Sequence, residues 1–379
     1  VNRVPENITP GNLSEAERLA WLRLIRSENV GPVTFAELLK HAGSAQRALE
    51  LLPDLARRGG KASRICPLED AEAELDAHGR IGARLIGLHE PDYPQHLRHI
   101  DGPPPLLSVK GGTNALTRER MIAIVGARNA SLSGRKLATR FAQGLGAEGF
   151  SIVSGLARGI DAAAHEASLQ TGTIAVFAGG INVLYPPEHD RLLAAVLDTE
   201  GAVISEMPLG WKPRSRDFPR RNRLISGLSL GVIVIEAAKA SGSLHTARYA
   251  LEQNRDIFAV PGSPLDPRSE GANGLIRQGA ALVSTTDDVL ESLGGRLAPT
   301  LPFGRQFREE TETAPLSRSE PDGKLRDRVL AALGPTPVDM DELIRFADGD
   351  ARSVHVVLLE LELAGRLERH RGNKISALM

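Results

Sequence analysis

Residues 121–177 read MIAIVGARNASLSGRKLATRFAQGLGAEGFSIVSGLARGIDAAAHEASLQTGTIAVF. Three short apolar runs, Met121–Val125, Phe150–Val153 and Thr173–Phe177, have the length and Ile/Val content of buried strands. Between them Leu132–Glu148 and Gly159–Gln170 read as helices. The alternation predicts an α/β fold: a doubly wound parallel sheet with helices covering both faces. The pattern continues outward. Glu188–Leu197 reads as a helix, and Ala202–Ser205, Gly231–Ile235, Asp256–Val260 and Ala281–Val283 as further strands. Upstream, Arg84–Leu88 and Leu106–Val109 read as short strands expected to join one edge of the same sheet.

The flanks differ in character. Residues 1–12 read as a disordered leader, and residues 13–83 as a helical domain of the SAM or helix-hairpin-helix kind. Ser14 and Glu17 have capping-box spacing. Asn29-Val30-Gly31-Pro32-Val33-Thr34 is a glycine turn between helices, which reads either as a phosphate-holding hairpin or as a plain helical one. The core is expected over residues 84–294 and an aperiodic linker over 295–322. Residues 323–379 offer three helices, Lys324–Leu333, Met340–Phe346 and Ala351–Leu363, then a strand pair, in the order of a winged helix. The third helix holds Arg352 and His355 but also Glu360 and Glu362, so a protein contact or weak DNA role suits it better than strong duplex reading.

Ligands of such sheets sit at the carboxyl ends of the strands. There the chain places Gly126-Ala127-Arg128-Asn129-Ala130-Ser131, then Ser154-Gly155-Leu156-Ala157-Arg158-Gly159-Ile160-Asp161, then Gly179-Gly180, then Ser241-Gly242-Ser243. Gly126 permits close backbone approach, Arg128 and Ser131 suit a phosphate near a helix N-terminus, and Ser243 opens another amide-rich turn. Between two of these loops runs Phe218-Pro219-Arg220-Arg221-Asn222-Arg223-Leu224, preceded by Lys212, Arg214 and Arg216. Cations at a helix start oppose its dipole, so an anionic ligand explains them. No G-x-G-x-x-G opens the first helix and no P-loop motif is present, which disfavours a standard dinucleotide site and a P-loop NTPase. Structural roles compete at several positions: Gly155 and Gly159 in turn geometry, Asp161 as a helix-start partner, His165 as a hydrogen bonder, and Glu206 and Glu236 as orienters of the arginines.

Composition narrows the classes. The 379 residues carry a net charge of −1, so any nucleic-acid surface is a local groove and not a global coat. Cys66 is the single cysteine, which fits a reducing compartment. No metal-ligand spacing, signal-peptide pattern or membrane-spanning run is visible, and a soluble cytoplasmic protein without cofactor is expected. Aromatic residues make up only 4%, so stacking platforms are few, with Phe218, Tyr185 and Trp211 the candidates.

Taken together, the motifs resemble the DNA-processing protein A family (DprA, also called Smf). The matching stretches are Val125–Arg128, Ser154–His165, Tyr185-Pro186, Phe218–Leu228, Ser241–Ala247, and Pro261-Gly262 with Gly271–Ile276. The resemblance implies an extended Rossmann-like core that binds single-stranded DNA without catalysis and loads a RecA-type recombinase in natural transformation. It also implies a homodimer through the C-terminal half of the core. Carried over, it assigns DNA contact to Arg128, Ser131, Ser154, Gly155, Arg158 and the cluster Arg220, Arg221, Asn222 and Arg223. Ala127 stands where serine is usual, and Pro187 where a basic residue is common. Two rivals remain: a phosphoribohydrolase-like nucleotide enzyme, and a winged-helix DNA-binding regulator whose core senses a nucleotide.

Overall fold

The computed structural model describes residues 11–199, 201–297, 323–370 and 372–378. The expected leader, up to residue 10, and the expected linker, from residue 298 on, lie outside them. Residues 295–297 end a helix. The described chain forms two compact units, residues 11–13 with 72–297, and residues 14–71 with 323–378.

The second unit begins with α1 (Glu15–Arg26), α2 (Pro32–Ala42) and α3 (Ala45–Arg58). The capping box is formed: the Ser14 amide donates to Glu17 Oε2 at 3.0 Å, and the Glu17 amide donates to Ser14 Oγ at 3.3 Å. Trp21 meets Phe35 edge-on with centroids 5.1 Å apart.

Next come α4 (Leu68–Arg80), β1 (Ala83–Gly87), β2 (Leu106–Gly111), α5 (Asn114–Thr117), β3 (Met121–Gly126), α6 (Leu132–Ala147), β4 (Ser151–Ser154), α7 (Ile160–Ala167) and β5 (Thr173–Val176). They are followed by α8 (Asp190–Asp198), β6 (Ala202–Ser205), α9 (Asp217–Leu228), β7 (Gly231–Ile235), α10 (Ser243–Glu252), β8 (Asp256–Ala259), α11 (Glu270–Arg277), β9 (Ala281–Leu282) and α12 (Thr286–Leu297). The nine strands form one sheet in the order β1-β2-β6-β5-β4-β3-β7-β8-β9. From β6 to β9 every pairing is parallel, while β1 and β2 add antiparallel at the β6 edge as expected. Strand order reverses between β3 and β7, which pair from Ala123↔Val232 to Gly126↔Ile235. That reversal is the topological switch point, where a cleft opens.

The central strands are buried on both faces, the reason their sequences lack polar alternation. Ile122, Ile124, Phe141, Phe150, Ile152 and Phe258 fill one side, and Leu156, Phe177, Leu192, Val196 and Val203 the other. The helix expected to reach Gln170 stops at Ala167. The Ser168 hydroxyl donates back to the Ala164 carbonyl at 2.8 Å, and the chain turns through Gly172.

The chain then returns to the second unit with α13 (Gly323–Ala332), β10 (Val338–Asp339), α14 (Met340–Ala347), α15 (Ala351–Leu363), β11 (Leu367–His370) and β12 (Lys374–Ala377). This is a winged helix with a three-stranded sheet, β10-β12-β11, one strand more than the pair expected. Leu325, Val329, Leu343, Val354, Leu358 and Ile375 form its core. The other face of α15 lies on α2 and α3. There the Glu360 carboxylate is buried and accepts from Arg326 Nε and Nη2, each at 2.9 Å. Asn29 Nδ2 donates to the Leu363 carbonyl at 3.0 Å, and Arg366 Nη1 to the Gly59 carbonyl at 3.2 Å. The hairpin turn and the helix at the recognition-helix position therefore hold each other.

Candidate nucleic-acid interface

The β4–α7 loop is fixed from below. Ser154 Oγ donates to the Ile124 carbonyl at 2.6 Å and is fully buried. Leu156 sits at φ +51°, a costly conformation for a branched side chain, and its amide donates to His165 Nε2 at 3.3 Å. Because Nε2 accepts, Nδ1 carries the proton and donates to Thr173 Oγ1 at 2.7 Å. Burial holds the His165 pKa down to about 3, so the ring is neutral and acts as a brace.

Asp161, in the first turn of α7, accepts from the amides of Gly155 at 3.1 Å and Ala157 at 3.3 Å. Burial pushes its carboxyl above the usual range, opposed first by the nearby Arg221 charge. Arg221 comes from α9 and is itself buried. Its Nη1 donates to the Gly155 carbonyl at 2.8 Å and to the Val176 carbonyl. Burial lowers its pKa to about 10, so it stays cationic at neutral pH. A Cβ on Gly155 would come within 2.6 Å of that guanidinium, so the close approach requires glycine. Asn222 links Arg221 Nε, at 3.2 Å, to the Gly242 carbonyl, also at 3.2 Å.

The β3–α6 loop is pinned at its far end. Ser131 caps α6, accepting from the Gly134 amide at 2.9 Å. Its own amide donates to Glu236 Oε2 at 2.8 Å and its hydroxyl to Glu236 Oε1. Glu236 therefore anchors this loop and does not orient the arginines as expected: β7 lies beside β3, so the residue after β7 meets the loop after β3. Glu206 does orient them. It is nearly buried, pairs with Arg223, and lies 3.4 Å from Arg220 Nε. Arg223 also donates to the Gly102 carbonyl at 2.9 Å. The cluster is thus divided, with Arg221 and Arg223 bonded inward and Arg220 half exposed.

Gly179 and Gly180 hold the loop that leads to α9. The Gly179 carbonyl accepts from Ser205 Oγ at 2.6 Å, and the Gly180 amide donates to the Trp211 carbonyl at 2.9 Å. The Trp211 indole donates to Asp217 Oδ2 at 2.9 Å, and Arg214 lies over its ring at 4.9 Å. Lys212, Arg214 and Arg216 are exposed on this loop.

What remains open is a groove above the switch point. Two adjoining cavities, of about 610 and 730 Å3, share Arg128, Asn129, Tyr185, Phe218 and Arg221. Arg128 is exposed and its guanidinium lies 5.3 Å from the Phe218 ring centre. Tyr185 lies against the same ring, 5.2 Å away and tilted by 60°. Gly155 and Arg158 line the first cavity, and Arg158 reaches across to Glu188. Gly126, Asn222 and Ser243 line the second. Ser243 begins α10 without capping it, and faces Ser241 Oγ at 2.8 Å. Ser131, Ser154, Gly179, Gly180, Arg220 and Arg223 line neither cavity. Arg135 of α6 lines the first and was missed from sequence, because attention to strand ends passes over a residue one turn into a helix. Among the described residues no cluster of acidic, histidine or cysteine side chains could hold a metal ion.

The chain matches the family model for DNA recombination-mediator protein A over residues 84–294. A DprA-like N-terminal HHH domain matches residues 15–77, and a DprA winged helix domain residues 312–373. Protein Smf of Escherichia coli (strain K12) is 43% identical over 303 residues, 79% of each chain. The X-ray structure of DprA from Streptococcus pneumoniae superposes with a TM-score of 0.60 at 36% identity, covering 74% of this chain and 98% of that one. DNA processing protein A from Helicobacter pylori, whose structure addresses its single-stranded DNA binding mode, gives a TM-score of 0.50 at 28% identity over 54% of this chain and 93% of that one. The groove, its arginine-bearing helix and the three matched segments lead to one conclusion: the chain belongs to the DNA recombination-mediator protein A family, that of the DprA and Smf proteins.

Proposed function

We propose that this chain binds single-stranded DNA in the groove above the switch point, with no bond made or broken, and presents the strand to a RecA-type recombinase during transformation and recombination. The observation that carries the reading is the exposed pair Arg128 and Tyr185 packed on the half-buried Phe218 ring, on a loop scaffold braced from inside. An unpaired strand offers phosphates to a guanidinium and base faces to a ring, whereas a duplex hides its base faces. Arg128, Arg158 and Arg220 serve as phosphate contacts, with Arg158 exchanging Glu188 for the ligand. Phe218 and Tyr185 serve as the platform. Gly126, Gly155, Asn222 and Ser243 shape the floor. Ser131, Ser154, Gly179, Gly180, Arg221 and Arg223 act by holding the loops. The single-stranded DNA binding mode named for the Helicobacter pylori relative supports the choice of ligand.

The phosphoribohydrolase reading is weaker. The first glutamate after the Ser241–Thr246 loop is Glu252, at the far end of α10 beside Arg248, about 14 Å of helical rise from Ser243. His165 and Asp161 are bonded into the scaffold. The winged-helix regulator is weaker too, because α15 is covered by α2 and α3 along one face.

The homodimer expected through the C-terminal half of the core is supported by apolar side chains at that end. Leu251, Leu265 and Leu282 are 71%, 94% and 53% exposed, Leu282 within the two-residue edge strand β9. Two copies would add avidity for one strand. The recombinase partner is proposed on the family resemblance, and a cytoplasmic location on the sequence composition; no helix of the described residues is long and apolar enough to cross a membrane. The test is binding of labelled oligo-dT and of a duplex of equal length across a salt series. The reading expects preference for the single strand, with binding weakened in Arg128→Ala.

A further inference from the structure

The groove does not stop at Arg128. Between α6 and α7 runs a crevice of about 260 Å3, lined by Arg135, Lys136, Thr139, Gly159, Ala162 and Glu166. Arg135, Gly159, Ala162 and Glu166 also line the main groove, so the two are continuous. We infer that the bound strand leaves the groove along this crevice, where Arg135 and Lys136 hold its phosphates. The inference rests on the single-strand reading above and extends it to residues outside the strand-end loops.

Three observations carry it. Arg135 and Lys136 are exposed and form no ion pair among the described residues, unlike Arg158 and Arg223. They sit in the N-terminal half of α6, whose first turn holds no acidic residue, so the helix dipole opposes them. Lys136 and Arg140 stand four residues apart on the same helix face, a like-charge pair that weakens a helix unless an anion lies against it. The floor is small, with Gly159 and Ala162 leaving room for a sugar-phosphate chain. Glu166 is the one acidic side chain in the crevice and keeps the phosphates on the α6 side.

The test uses the full chain and two oligo-dT probes, one of about six nucleotides to fill the groove alone and one about three times longer. Lys136→Ala is made at an exposed helical position that lines the crevice and not the groove, where alanine favours the helix. On the long probe the slope of log affinity against log salt should become shallower by about 0.7, one phosphate contact on a single strand. On the short probe the variant should bind as the unaltered chain does, which also shows that it is folded. An unchanged slope on the long probe, with Arg128→Ala still weakening both probes, overturns the exit path and leaves the groove reading standing. Failure of the unaltered chain to bind either probe overturns both.

Discussion

The Arg221 guanidinium donates to the Gly155 carbonyl at 2.8 Å, tying α9 to the end of β4 from inside the protein. The same group reaches the Val176 carbonyl and offsets the buried Asp161 carboxyl. Nη1 donates to both carbonyls while Nε of the same planar group donates to Asn222 Oδ1, a spread of donors that a single ammonium nitrogen lacks. Arg221→Ala leaves both carbonyls and Asp161 without their partner, so stability should fall by about 3–5 kcal/mol. Arg221→Lys should recover only part of it. Urea midpoints check this, and a loss under about 1 kcal/mol for the alanine variant would count against the brace.

Gly159 carries a second constraint. Its φ is +79°, and a Cβ there would come within 2.3 Å of the Ala127 carbonyl, which is backbone and cannot swing away. Gly159→Ala should therefore cost about 2–3 kcal/mol and separate the β3–α6 and β4–α7 loops. Single-strand affinity should fall with it, which a binding titration at low salt would read.

Acid should expose the role of His165. Its folded pKa is about 3 against an ordinary 6.5, so between those values the unfolded chain takes up a proton that the fold refuses. Stability is lost as pH falls from about 6.5, by up to roughly tenfold in the folding equilibrium per pH unit. Asp161 acts in the opposite sense: its raised pKa makes the fold the better proton binder, so stability is gained as pH falls through its folded value. Comparing the chain with His165→Gln isolates the histidine. The variant should be less stable at pH 7 yet show a flatter pH dependence between pH 6.5 and 4. Parallel curves would contradict the neutral brace.

Arg128 and Phe218 touch, yet the proposed binding mode gives them different signatures. Arg128→Ala should weaken binding and reduce the salt slope by about 0.7, one phosphate contact on a single strand. Phe218→Ala should cost about 1–3 kcal/mol of affinity and leave the slope nearly unchanged, because stacking releases no counterions. Equal slope changes in both variants would mean that the ring only props the arginine.

Much of this arrangement was legible in the chain. Ala202–Ser205 and Gly231–Ile235 could be bounded to the residue, because apolar β-branched runs there end abruptly in polar or glycine positions. Val338–Asp339 could not, since two residues show no period. The direction of a side chain was harder still. Arg220, Arg221 and Arg223 read as one cationic cluster, but at about 100° per residue they leave α9 in three directions. One faces solvent, one the strand ends, and one Glu206 and Gly102. Charge is visible in a sequence; which charges stay free of the protein depends on contacts between distant segments. Glu236 shows the same limit, since its partner Ser131 lies 105 residues away.

The second unit makes its own prediction. Glu360 is 1% exposed and pairs with Arg326 through two 2.9 Å bonds. Glu360→Ala should destabilise that unit by about 1–2 kcal/mol through loss of the two charge-assisted bonds. Hydrogen exchange should show faster opening in α13 and α15, with groove binding to oligo-dT unchanged.

The most direct test is a salt titration of the full chain on oligo-dT and on a duplex of matched length. The account predicts tighter binding to the single strand at every salt concentration, with an affinity that falls linearly on a log–log scale and a slope reduced by Arg128→Ala. Equal or tighter binding to the duplex, or binding to oligo-dT that ignores salt, would contradict it.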